Sequence, residues 1–146
     1  MSDISNILPS YLSQASTKEK EVFFQTLICL AQIDGIKDIS ETNFIKDIAF
    51  SHGIKNIDDI FQNINEEKVI QDLKIIKNRH LAMELIRELC ILSHIDNILS
   101  EKEVMFIGKV GLQMGIELEK IEQISNWIID RIIWIEQAKL IFEEND

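Results

Sequence analysis

The chain has 146 residues, one proline and two cysteines, and 25 acids against 15 bases give it a formal charge of −10. That length and a 46% hydrophobic content fit one globular domain with its own core and exclude a disordered composition. The charge repels phosphate backbones and argues against nucleic acid as a partner; a cation or a basic protein surface suits it better, and plain solubility explains it as well.

The first residues, Met1-Ser2-Asp3-Ile4-Ser5-Asn6, lack the basic and apolar regions of a signal peptide, so a cytoplasmic protein is expected. Residues 1–16 read as a loose leader with one short turn after Pro9, followed by a single domain over 17–146. Ser16 and Glu19 have the spacing of a capping box. The helix they open runs to about Ile33, with Phe23, Phe24, Leu27, Leu30 and Ala31 on one face, and Asp34-Gly35 breaks it. Asp38 with Glu41 can cap the next helix, which turns Phe44, Ile45, Ile48 and Ala49 inward and stops at Gly53. Asn56 and Asn65 are N-caps for two short helices near 57–63 and 66–77.

A longer helix follows from about His80 to Ile95, with Leu81, Leu85, Ile86, Leu89 and Leu92 at helical spacing, until Asp96-Asn97 breaks it. Ser100 and Glu103 open the next helix, which ends at Gly115. The last helix, about 118–142, is apolar nearly all round between Trp127 and Ile135. Such a helix is expected to be the central one, buried on more than one side. The alternative is an exposed patch near Trp134, Leu140 and Phe142 that serves a protein partner or makes a homodimer through this helix. Asp130 and Arg131 interrupt the stretch, so no membrane span is expected. Cys29 and Cys90 sit in apolar runs and read as small buried hydrophobes. His52 and His94 stand in the last turns of helices, where a cation is favoured.

The chain repeats itself. A constant shift of 62 positions, the step from Leu27 to Leu89, also carries Leu30 to Leu92, Asp34 to Asp96 and Glu41 to Glu103. It carries Phe44 to Phe106, Ile45 to Ile107 and Gly53-Ile54 to Gly115-Ile116. Matched breaks, caps and stops at one shift are harder to obtain by chance than matched apolar positions. The expected fold is an all-α, compact bundle of about seven helices containing two pseudo-symmetric helical hairpins.

The run Leu30-Ala31-Gln32-Ile33-Asp34-Gly35, with Glu41, Phe44-Ile45 and Gly53-Ile54, resembles the signature of the TerB-like (tellurite-resistance) helical domains. The resemblance covers roughly Val22 to Trp127. It implies a pseudo-symmetric helical bundle and a link to tellurite and other chemical stress or to phage and colicin resistance. It also implies divalent-metal binding by the acidic turns. The chain departs from the pattern at Asn97, where the family favours glycine, and at Ser100, which stands where the first copy has Asp38.

Asp34, Asp38 and Glu41 form the densest acidic group, with Asp96 and Glu103 their counterparts in the second copy. Oxygen ligands converging from a tight turn suit calcium or magnesium. Capping explains Asp38 and Glu41 without any ion, whereas an acid at a helix C-terminus, as at Asp34, opposes the helix dipole. No phosphate loop, nucleophile elbow or HExxH pair is present, so no catalytic residue is assigned and a non-enzymatic binding protein is expected. A second reading is an acidic immunity or inhibitor protein that blocks a basic toxin or nuclease.

Overall fold

The structure is a computed structural model, and it describes residues 10–33, 39–62, 64–94 and 100–143. Seven α-helices, with no strand among the described residues, pack into one all-α bundle. They are α1 (Thr17–Ala31), α2 (Ile39–Ser51), α3 (Ile57–Phe61), α4 (Glu66–Asp72), α5 (Arg79–His94), α6 (Glu101–Gln113) and α7 (Leu118–Phe142). Short 3₁₀ turns lie at Leu12–Gln14 and Leu73–Ile75. Among the described residues no helix is long and apolar enough to cross a membrane.

The 62-residue register extends beyond the positions that suggested it. Helices α1 and α5 start at Thr17 and Arg79, and α2 and α6 start at Ile39 and Glu101, each pair one register step apart. Three of these four starts carry described side-chain caps. Ser16 and Glu19 form a reciprocal capping box at α1, and Ser100 and Glu103 form another at α6. Asn78, one register step from Ser16, caps α5 by accepting the backbone N–H of His80 at 2.8 Å and of Leu81 at 3.2 Å. The stops repeat as well. Gly53 and Gly115 take left-handed φ values of 90° and 76°. Ile54 N–H then reaches back to the Ala49 carbonyl at 3.2 Å, and Ile116 N–H to the Gly111 carbonyl at 2.8 Å, the wrapped-back bond of a Schellman ending. Both isoleucines are buried, which pins the chain as it leaves each hairpin.

The two hairpins meet through their equivalent first helices, α1 against α5. Phe23, Phe24, Ile28 and Leu30 of α1 and Leu81, Leu85, Ile86 and Leu89 of α5 are almost wholly withdrawn from water. Each such side chain contributes roughly 1.5–3 kcal/mol on transfer from solvent. Helix α5 buries residues around most of its circumference, because α1, α6 and α7 all pack on it. Helices α3 and α4 lie against α1, and α4 also touches α6. Thr26 and Ser93 are buried but donate their hydroxyls to the Val22 and Leu89 carbonyls one turn back.

Several expectations are corrected. The central helix is α5, not the C-terminal one: on α7 only Ile121 and Ile128 are buried. Helix α7 leans on α5 and α6 along one stripe, and no described element covers its opposite side. Phe44 is 39% exposed, although its register partner Phe106 is 1% exposed, because α2 contacts only α1 and α3 closely. The fourth helix stops at Asp72 and tightens into a 3₁₀ turn instead of running to 77. Asn65 caps it through Lys68 N–H, but Asn56 makes no side-chain cap bond to α3. The end of the expected loose leader is held in place: Leu12 is buried in the core, and Ser10 and Tyr11 bond to α5.

Candidate functional site

The acidic turns expected to hold a cation fall largely outside the described residues, which exclude Asp34, Asp38 and Asp96. Glu41 sits in the first turn of α2 and Glu103 in the first turn of α6. Glu103 is engaged as a cap: its Oε1 accepts the Ser100 N–H at 3.0 Å, while the Ser100 hydroxyl oxygen accepts the Glu103 N–H at 3.2 Å. Among the described residues no group of three His, Cys, Asp or Glu side chains is placed to hold a metal ion. His94 Nε2 lies 3.4 Å from Ser125 Oγ, near Glu103.

Burial lowers the His94 pKa from its ordinary 6.5, and the Glu103 charge opposes that only partly. Burial also lowers His52, helped by Lys20, so both histidines depart from the cationic state expected at a helix C-terminus. Burial is the largest cause at both sites. Burial pushes the Cys29 thiol up to about 11 and the Cys90 thiol up to about 12, which makes both poor nucleophiles and poor metal ligands.

Exposed large apolar side chains, which α2 and α6 also carry, are most numerous on α7. Trp127, Ile133, Trp134, Leu140 and Ile141 are between 46% and 80% exposed on this helix. With 3.6 residues per turn these five occupy one side of the helix, opposite the stripe of Ile121, Ile128, Ile132 and Ile135 that faces the core. Scattered exposed apolar residues are ordinary on a monomer; on α7 they gather along one side, with Asp130 and Gln137 among them. The row is also electrically neutral. Between Trp127 and Phe142 the acids Asp130 and Glu136 balance the bases Arg131 and Lys139, in a chain of charge −10. The Arg131 guanidinium lies 4.5 Å from the centroid of the Trp134 ring, shielding one face of it.

At its N-terminal end this row runs into a groove of about 390 Å³, bordered by Tyr11, Met83, Glu84, Arg87, Ile124 and Trp127. Glu84 is the one acid among the buried described residues. Its carboxylate accepts the Ser10 hydroxyl at 2.7 Å and the Tyr11 N–H at 2.6 Å, with Arg87 Nη2 at 3.9 Å. The Tyr11 ring stacks on His80 at 4.8 Å. Glu84 thus clamps the incoming chain across α5 and forms one wall of the groove. A carboxylate inside an apolar helical run gives little warning of this. The signal lay in the register, which pairs Glu84 with the wholly buried Val22 and so marks it as an acid at a core position.

Compared with models of protein families, with curated proteins and with solved structures, the chain matches none. Its likeness to TerB-like domains therefore rests on the motif and the register.

Proposed function

We propose that the chain is a non-enzymatic, TerB-like helical module that works by docking another protein on the exposed side of α7, in a stress response of the kind that family serves. The observation that carries this reading is the row of exposed apolar side chains from Trp127 to Ile141 on a helix whose other side is packed. Exposing that row costs solubility, so a docking use accounts for it. Caps at Ser16 and Asn78 and stops at Gly53 and Gly115, each pair one register step apart, support the TerB-like part. A calcium or magnesium site at Asp34, Asp38, Glu41, Asp96 and Glu103 belongs to the proposal through the resemblance.

The test compares proteins captured from a lysate by the parent chain and by Trp134→Glu, with and without calcium, identified by mass spectrometry. A partner retained by the parent and lost by the variant, with the melting temperature unchanged, is the expected result. Identical captures by both overturn the docking reading. The charge of −10 favours a second reading, an inhibitor of a basic toxin. Capture in that case weakens steeply with salt and is indifferent to Trp134→Glu.

A further inference from the structure

We propose that the groove between α5 and α7 binds a small organic anion with a flat apolar body, of the class of aromatic carboxylates. The inference goes beyond the docking reading and does not depend on it, because Trp134, the residue that tests docking, does not border the groove. Two helices build the site with one pattern. Residues spaced i, i+3, i+4 and i+7 from His80 to Arg87 form the α5 wall, and residues with the same spacing from Lys120 to Trp127 form the α7 wall. At ~1.5 Å per residue each wall is about 10 Å long. The volume of about 390 Å³ lies within the roughly 300–1,000 Å³ of small-molecule sites, and its lining is mostly apolar with a few polar groups, as theirs is. A stable protein contact needs on the order of 800 Å² per partner, which a groove of this length does not offer.

Charge sets the sign of the ligand. In a chain of −10, the groove is bordered by two bases, Arg87 and Lys120, against one acid, Glu84. Glu84 and Arg87 are committed within the wall. Glu84 accepts from Ser10 and Tyr11, and Arg87 stands beside Glu84 and bonds through its Nε to Glu88 at 3.0 Å. Lys120 supplies the remaining charge. Its Nζ donates to Gln123 Oε1 at 2.8 Å, which takes one of the three donors of an ammonium. Glu117, one turn back, feels Lys120 but is paired to Arg79. A carboxylate in the groove therefore meets two kinds of donor, the Lys120 ammonium and the Gln123 amide. The flat body of the ligand lies against the partly buried Met83 and Ile124 and the half-exposed Trp127 ring. Aromatic groups like these also suit a cation, but a base on each wall repels one.

The test titrates the full chain with three probes of one skeleton, naphthoate, the neutral naphthylmethanol and naphthylmethylammonium, while the indole N–H signals are followed by NMR. Naphthoate is expected to bind about tenfold tighter than the alcohol, and the ammonium more weakly than either. The Trp127 indole signal, at the groove, shifts during the titration, and the Trp134 signal, two turns further on, does not; Trp134→Phe assigns the two. Lys120→Glu abolishes the preference for naphthoate over the alcohol without changing the melting temperature. Lys139→Glu removes a base from the same helix outside the groove and keeps the preference. Trp127→Ala weakens all three probes by about tenfold. Failure of naphthoate to bind, equal affinity for the three probes, or tightest binding by the ammonium overturns the inference. So do shifts at Trp134 as large as those at Trp127, and a preference that survives Lys120→Glu. None of these outcomes touches capture of a protein through Trp134, and loss of that capture leaves the naphthoate preference standing, so the two readings fail separately.

Discussion

The two hairpins, α1–α2 and α5–α6, are alike in their punctuation and unlike in their surroundings. The caps at Ser16 and Asn78, the helix starts and the Schellman endings coincide at one register because each is set by chemistry within a few residues. Burial does not coincide, because it depends on which helices arrive from elsewhere. Helix α7 packs on the second hairpin and the short α3 and α4 on the first, so equivalent residues meet different fates. Where α7 presses closest, the second copy has Gly111 in place of Ala49. Where the incoming chain crosses, it has Glu84 in place of Val22. The repeat is therefore a shared local grammar carrying two different packings.

The largest expected effect tests that statement with one residue type at two equivalent positions. Phe106→Ala is expected to cost about 3–5 kcal/mol in urea denaturation, as removal of a fully buried ring does. Phe44→Ala, at a half-exposed site, is expected to cost about 1 kcal/mol or less. Equal losses break the comparison.

A smaller effect is expected at Gly111. A methyl there meets Ile121 head-on, with Cγ1 at 3.2 Å and Ile86 Cδ1 at 3.6 Å. Overpacking of this kind costs ~1–3 kcal/mol, offset by a helix-propensity gain of up to ~1 kcal/mol, so Gly111→Ala is expected to lose about 1 kcal/mol. Ile121→Val added to it recovers part of the loss, and a thermal-melt cycle of the four proteins measures the coupling. At Ala49, which is fully buried, the sign reverses: Ala49→Gly destabilises by about 1–2 kcal/mol through lost propensity and a lost buried methyl.

The smallest effect concerns pH. Burial lowers the folded-state pKa of His94 below the ordinary 6.5, so on acidification the unfolded chain takes up the proton first. The His94 contribution to stability is therefore complete above 6.5 and is lost as pH falls through that value toward the lowered one. His94→Gln installs the residue found at the equivalent Gln32. Its melting temperature is expected to fall less steeply than the parent's across that range. Equal slopes assign the acid sensitivity elsewhere.

The register was legible in the sequence because Leu27, Gly53 and Glu103 each announce themselves by type and spacing. The extent of α7 was legible too, and its ends coincide with the structure. What lies on its two sides was not. Ile128 and Ile133 are the same residue in the same helix, and only the position of α5 makes one buried and the other half-exposed. The acidic turns were legible as a pattern, and capping accounts for the member whose bonds are described in full, Glu103. Glu84 was missed because one carboxylate in an apolar helix reads as a solvent-facing residue until its partners 73 and 74 positions away are known.

That separation also sets an order of events during synthesis. Ser10 and Tyr11 leave the ribosome first, yet their acceptor emerges 74 and 73 residues later. The first hairpin can close on its own caps while Phe23, Phe24 and Ile28 still wait for α5. Translation supplies roughly 5–20 residues per second, so this unfinished face stays open for seconds. The Glu84 clasp can then close only after α5 has emerged, so Ser10 and Tyr11 are fastened to a helix made well after them.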